Sequence, residues 1–136
     1  MKVGVWCVIV SLLTPIIAHA TTIAVSCPEK LTLKSTVVAP DGWETIPPRW
    51  EPSLAGITVY DGPPNNMASQ VPDELPSKGD LEINRYVVGD GFWLECRYHG
   101  TLITLAQPLP PGIKFCHAYY KRQEYGLGPL VRFECE

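Results

Sequence analysis

The chain has 136 residues, 46% of them hydrophobic and 18% charged, with a formal net charge of −3. That length holds one ordinary domain and excludes a multidomain enzyme, and the apolar fraction excludes a disordered tail. The mild acidity, with Lys121-Arg122 as the one adjacent basic pair, argues against nucleic acid as a partner, because phosphates would be repelled.

The first predicted element is a leader. Lys2 precedes an apolar run ending at Ile17, and Ala18-His19-Ala20 supplies a small-x-small cleavage pattern, so residues 1–20 read as a cleaved signal peptide. Its loss removes Lys2 from the net −3 and leaves −4 on residues 21–136, which are expected to form a single domain in the periplasm. No later apolar run approaches the roughly 20 residues that span a bilayer, so no membrane anchor is expected in the mature chain. Cys7 lies in the leader, and no cysteine follows the cleavage point directly, which disfavours lipid attachment.

Beyond the leader, short β-like runs alternate with proline and glycine, and no long stretch shows a 3.6-residue apolar period. Residues 31–38 alternate, with Leu31 and Leu33 against Thr32, Lys34 and Thr36. An irregular segment follows over 40–52, with Trp43, Pro47, Pro48 and Trp50. Strands are expected at 57–60, 81–88 and 92–99, the last with Phe92, Leu94, Cys96 and Tyr98 toward the core. His99-Gly100 suits a tight hairpin into 101–106, and strands at 113–122 and 129–135 close the chain around Gly126-Leu127-Gly128. About seven strands and little helix make an all-β, mainly antiparallel sandwich or partly closed barrel. Between the second and third strands lies a long proline-rich loop, 61–76. Its length points to function, or to an Ω-loop packed on the domain.

Cys27, Cys96, Cys116 and Cys135 remain after cleavage, an even number in a small exported chain, which reads as disulfides. Four cysteines permit three connectivities. Facing strands in the last hairpin favour Cys116 with Cys135, with Tyr120 then opposite Val131, and leave Cys27 for Cys96. The spacings lack the close pairs of a zinc site, so no metal and no cofactor is expected.

The chain also carries Cys27-Pro28, Asp41-Gly42-Trp43, the block from Gly56-Ile57-Thr58-Val59-Tyr60-Asp61-Gly62-Pro63-Pro64 through Met67-Ala68-Ser69 and Val71-Pro72-Asp73, Phe92-Trp93-Leu94-Glu95-Cys96-Arg97-Tyr98, and Leu109-Pro110-Pro111-Gly112. Together these resemble a family of small exported proteobacterial proteins of unassigned biochemical function, some of them encoded near type VI secretion genes. The resemblance implies an immunity or inhibitor role and transfers no catalytic residue.

The residues themselves point away from catalysis. His99 and His117 are the two mature histidines, one in a predicted turn and one in a strand, and no nucleophile elbow or phosphate loop is present. Binding to another envelope protein, such as a secreted effector enzyme, is the expected role. The contact residues expected are Asp61, Pro63, Pro64, Met67, Asp73 and Glu74, since prolines lower the ordering cost of a loop and acidic side chains steer toward a basic cleft. The alternatives are a module binding a glycan or lipid fragment through aromatics on a concave β surface, or a structural envelope protein.

Overall fold

The computed structural model describes residues 22–34, 38–46 and 49–136. The expected signal peptide lies outside the described residues. Eight strands follow in chain order: β1 (Ile23–Ala24), β2 (Leu54–Tyr60), β3 (Asp73–Lys78), β4 (Leu81–Val87), β5 (Trp93–Tyr98), β6 (Thr104–Pro108), β7 (Phe115–Arg122) and β8 (Leu127–Cys135). A five-stranded sheet has the order β1-β8-β7-β4-β3, and a three-stranded sheet the order β2-β5-β6. Every pairing is antiparallel. The result is a sandwich of two open sheets, as the alternation of short strands predicts, and neither closes into a barrel.

Alternate residues of the central strands meet between the sheets. Ile57 and Val59 of β2, and Leu94, Cys96 and Tyr98 of β5, are buried with Tyr86 of β4, Cys116, Ala118 and Tyr120 of β7, and Phe133 and Cys135 of β8. Tyr86 meets Phe133 edge-on, with ring centroids 6.4 Å apart. On β4 the core side is therefore the one bearing Asn84 and Tyr86, while Val87 is exposed. Cys116 and Cys135 face each other across β7 and β8 and are disulfide-bonded. The second disulfide joins Cys27, just past β1 of the larger sheet, to Cys96 in β5 of the smaller one, and so ties the two sheets together.

Four local expectations change. Residues 31–38 form no strand in their described part. Leu31 donates its N–H to the Pro52 carbonyl at 3.0 Å, but Pro52 has no N–H to return, so the ladder stops at the single Lys30–Ser53 bridge. The connection after β5 runs from His99 to Ile103, because the His99 N–H turns to the Ser53 carbonyl (2.8 Å) instead of opening a two-residue hairpin. The second half of the 61–76 loop is β3, an edge strand that pairs Asp73 with Arg85 and absorbs Pro76 at a register shift between Leu75 and Lys78. In the last hairpin the register expected from the cysteines holds to Tyr119–Arg132, then shifts so that Tyr120 meets Leu130 rather than Val131. Gly128 lies beside this irregularity, where any Cβ would run into the Lys121 carbonyl.

Candidate functional site

The first half of the proline-rich segment is an ordered turn at the Tyr60 end of β2. The Asp61 N–H donates to the Ala68 carbonyl at 2.9 Å, and the Gln70 N–H donates to the Val59 carbonyl at 2.8 Å, so the chain leaves and rejoins the strand edge in register. Between these rungs Pro64–Asn66 makes one 3-10 turn, opened by Pro63 at φ −59° and closed by Met67 in the left-handed region at φ 58°. A non-glycine residue is uncommon in that region, and Met67 is 81% exposed there. At the root of the turn, interaction with the carboxylate of buried Glu95 holds the Tyr60 phenol above its usual pKa.

The six residues expected to make the contact therefore fall into two groups. Asp61, Pro63, Pro64 and Met67 share the turn, whereas Asp73 and Glu74 belong to β3, where successive side chains point to opposite faces. Asp73 is 2.8 Å from the Arg85 guanidinium, so much of its charge is balanced. Glu74 lies on the other face and lines a cleft of about 220 Å³ with Leu75, Glu82 and Asn84. Among the described residues Asp61 and Glu74 form no ion pair.

The outward face of the five-stranded sheet was not singled out by sequence. Register sets Asp73, Arg85, His117 and Glu134 in one cross-strand row, and Leu75, Ile83, Tyr119 and Arg132 in the next. The Arg132 guanidinium stacks 3.8 Å from the Tyr119 ring centre and lies 3.1 Å from Glu134, and Arg85 lies 5.8 Å from the Phe115 ring. Tyrosine and arginine held rigidly on a sheet are the side chains that dominate protein interfaces. Alternation of Phe115, His117 and Tyr119 with buried residues could have flagged one strand of this face. Its arginines join only through register.

The groups that could serve chemistry are dispersed or protected. His99 starts the connection after β5, and His117 packs near Tyr119, with centroids 6.4 Å apart. Tyr86 and Tyr120 both lie in the core between the sheets, and burial raises both phenols above the usual range. Trp43 and Trp50 are exposed, at 76% and 68%, rather than covering the core. Among the described residues no group of three or more His, Cys, Asp or Glu side chains is placed to hold a metal ion. No described helix is long and apolar enough to cross a membrane. A cleft of about 370 Å³ lies between β6 and the segment around Cys27, lined by Ser26, Pro28, Cys96, Leu105, Ala106 and Gln107, without the aromatic platform that a glycan module would use.

Comparison with known proteins adds a family to this geometry. The model of a family described as "Type VI secretion system Tli immunity protein" matches residues 49–136, which take in β2 through β8. An uncharacterized 16.3 kDa protein in the trpG 5' region of Azospirillum brasilense is 31% identical over 116 residues, covering 76% of this chain and 75% of that one. No solved structure matches.

Proposed function

The chain belongs to the type VI secretion system Tli immunity protein family, and from that membership we propose that it is a periplasmic immunity protein that binds an envelope-targeting effector enzyme and occludes its site. The family match over β2–β8 carries this reading. The protein would act stoichiometrically, by surface complementarity.

In this reading residues 1–20 are removed on export, and the two disulfides suit an oxidising compartment, where such bonds persist. The turn of Asp61, Pro63, Pro64 and Met67 is the leading contact. Its hydrogen bonds and prolines are in place before binding, so little ordering cost opposes association. Met67 supplies an exposed apolar anchor, Asp61 adds negative charge within the turn, and Asp73 and Glu74 at the start of β3 extend the acidic character for a basic cleft, Asp73 with its charge partly balanced by Arg85.

The test is co-expression in the periplasm with each exported effector candidate found among the genes neighbouring this one, together with a pull-down. Wild type should restore growth and recover the effector. Met67→Asp and the double change Asp73→Lys/Glu74→Lys should each lower recovery at least tenfold, about 1.4 kcal/mol of binding. No protection by wild type overturns the immunity reading, whereas protection with equal recovery by all three proteins removes the turn and β3 from it.

A further inference from the structure

The topology exposes four sheet edges, β1 and β3 on the larger sheet and β2 and β6 on the smaller. Open edges invite pairing with another chain, and proteins close them with short strands, charge, proline, bulges or covering groups. Three of the four are closed by such devices. β1 has two residues. β3 carries Asp73, Glu74 and Lys78 together with Pro76 and a register shift. On β2 the outward carbonyls of Ile57 and Val59 are engaged, by the Arg97 guanidinium at 3.2 Å and by the Gln70 N–H, and just past the strand the Asp61 N–H is taken by Ala68.

β6 carries one of these devices, Pro108 at its last position, but no charge, no register shift and, among the described residues, no main-chain partner on its outer side. All five of its residues are exposed, and residues 100–113 contain no charged side chain. Which of its main-chain groups face out follows from the ladder. The Leu109 N–H donates to the Phe92 carbonyl at 2.8 Å, in the same register as the β5–β6 pairs, and hydrogen-bonded pairs alternate along an antiparallel ladder. Leu105 and Gln107 therefore turn toward β5, and Thr104, Ala106 and Pro108 turn outward. The same alternation carried across β5 places Ile57 and Val59 outward on β2, where their carbonyls are in fact engaged from outside the ladder. Pro108, which has no N–H, sits at an outward position, where the ladder does not need one. The open edge thus offers the N–H groups of Thr104 and Ala106 and the carbonyls of Thr104, Ala106 and Pro108. Among the described residues none of these has a main-chain partner outside the strand ladders.

We propose that β6 pairs antiparallel with β6 of a second copy of this chain, joining two three-stranded sheets into one continuous sheet. The edge is self-complementary. A two-fold axis at Ala106 sets Ala106 opposite its own counterpart and Thr104 opposite Pro108 of the second copy, so both outward donors of each chain meet carbonyls and the missing N–H of Pro108 leaves no donor unpaired. An uncharged strand brings no like charges together across that axis, unlike β3. Pairing also covers apolar surface beside the strand, where Leu102 is fully exposed and Ile103 and Leu105 are 49% and 38% exposed. The turn at the end of β2 lies two strands away and stays free, so this pairing does not depend on the immunity reading.

Sedimentation equilibrium of the disulfide-intact protein over a wide concentration range tests the proposal. The average mass should rise from one chain toward two. Ala106→Pro deletes an outward donor without touching the β5–β6 bonds, so it should hold the mass at one chain with an unchanged far-UV spectrum. Amide exchange on the wild type gives a readout that no substitution can confound. Protection of Thr104 and Ala106 should grow with concentration, while that of Leu105 and Gln107 stays constant. A single-chain mass at every concentration, a dimer indifferent to Ala106→Pro, or concentration-independent exchange at Ala106 overturns the proposal. Loss of effector capture in Ala106→Pro, with a monomeric wild type, would give the edge to the effector instead.

Discussion

Replacing the inter-sheet disulfide, as Cys27→Ala/Cys96→Ala, is the perturbation whose size follows most directly from the structure. The bridge spans a sequence separation of 69 residues and joins the segment after β1 to β5 in the opposite sheet. Closing a loop of that length in the unfolded chain costs about 4 kcal/mol of conformational free energy, which the double variant would no longer withhold from the unfolded state. A domain of this size has a total stability of roughly 5–15 kcal/mol, so the loss should be a large fraction of it. The bridge between Cys116 and Cys135 spans a sequence separation of 19, worth about 3 kcal/mol by the same reasoning. Both of its sulfurs are fully buried, so its removal would add cavities to the entropy change. The longer bridge is therefore the cleaner test. Urea unfolding of the oxidised variant and wild type supplies the assay. The midpoint should fall, and the slope should rise, because a chain with one fewer cross-link exposes more surface when unfolded. A loss below about 1 kcal/mol with an unchanged slope would refute the claim that this bridge stabilises by restricting the unfolded chain.

Two further outcomes follow from the core. Tyr86 and Tyr120 hold their protons more tightly folded than unfolded because burial disfavours the phenolate, so their contribution is fully present below pH 10.0, the unperturbed value. Thermal midpoints should accordingly fall as pH rises above that value, and the fall should be smaller in Tyr86→Phe, which has one fewer phenol to ionise. Gly128→Ala forces a methyl group against the Lys121 carbonyl, backbone that cannot swing aside, and should cost about 1–3 kcal/mol in urea unfolding. Ala at Gly79, whose added Cβ meets nothing within 4 Å, should cost only the strain of φ +64°.

Much of this architecture is legible in the chain itself. Period-two alternation in 92–99 marks Leu94, Cys96 and Tyr98 as core because a strand's side chains must alternate faces, and all three are buried. The spacing of Cys116 and Cys135 around a glycine turn likewise points to the observed cross-strand pair. What misled were the prolines. Pro72 and Pro76 read as loop, yet an edge strand tolerates a missing N–H, so β3 forms; Pro52 sits beside a run that reads as strand, and its missing N–H prevents one.

The candidate surface divides along the same line. The proline-rich turn is local, so Asp61, Pro63, Pro64 and Met67 could be picked from adjacent residues, and hydrogen bonds between near neighbours hold them together. The aromatic and arginine rows on the outward face, the separation of Asp73 from Glu74, and the place of β6 at a sheet edge all depend on which strands become neighbours and in what register. Composition and alternation determine that this chain makes β-strands, which side chains seek the interior, and that its cysteines can be bridged. Only tertiary structure decides which strands end a sheet and what covers their edges, because hydrogen bonds between strands join residues far apart in the chain and nothing in a single strand specifies its partner.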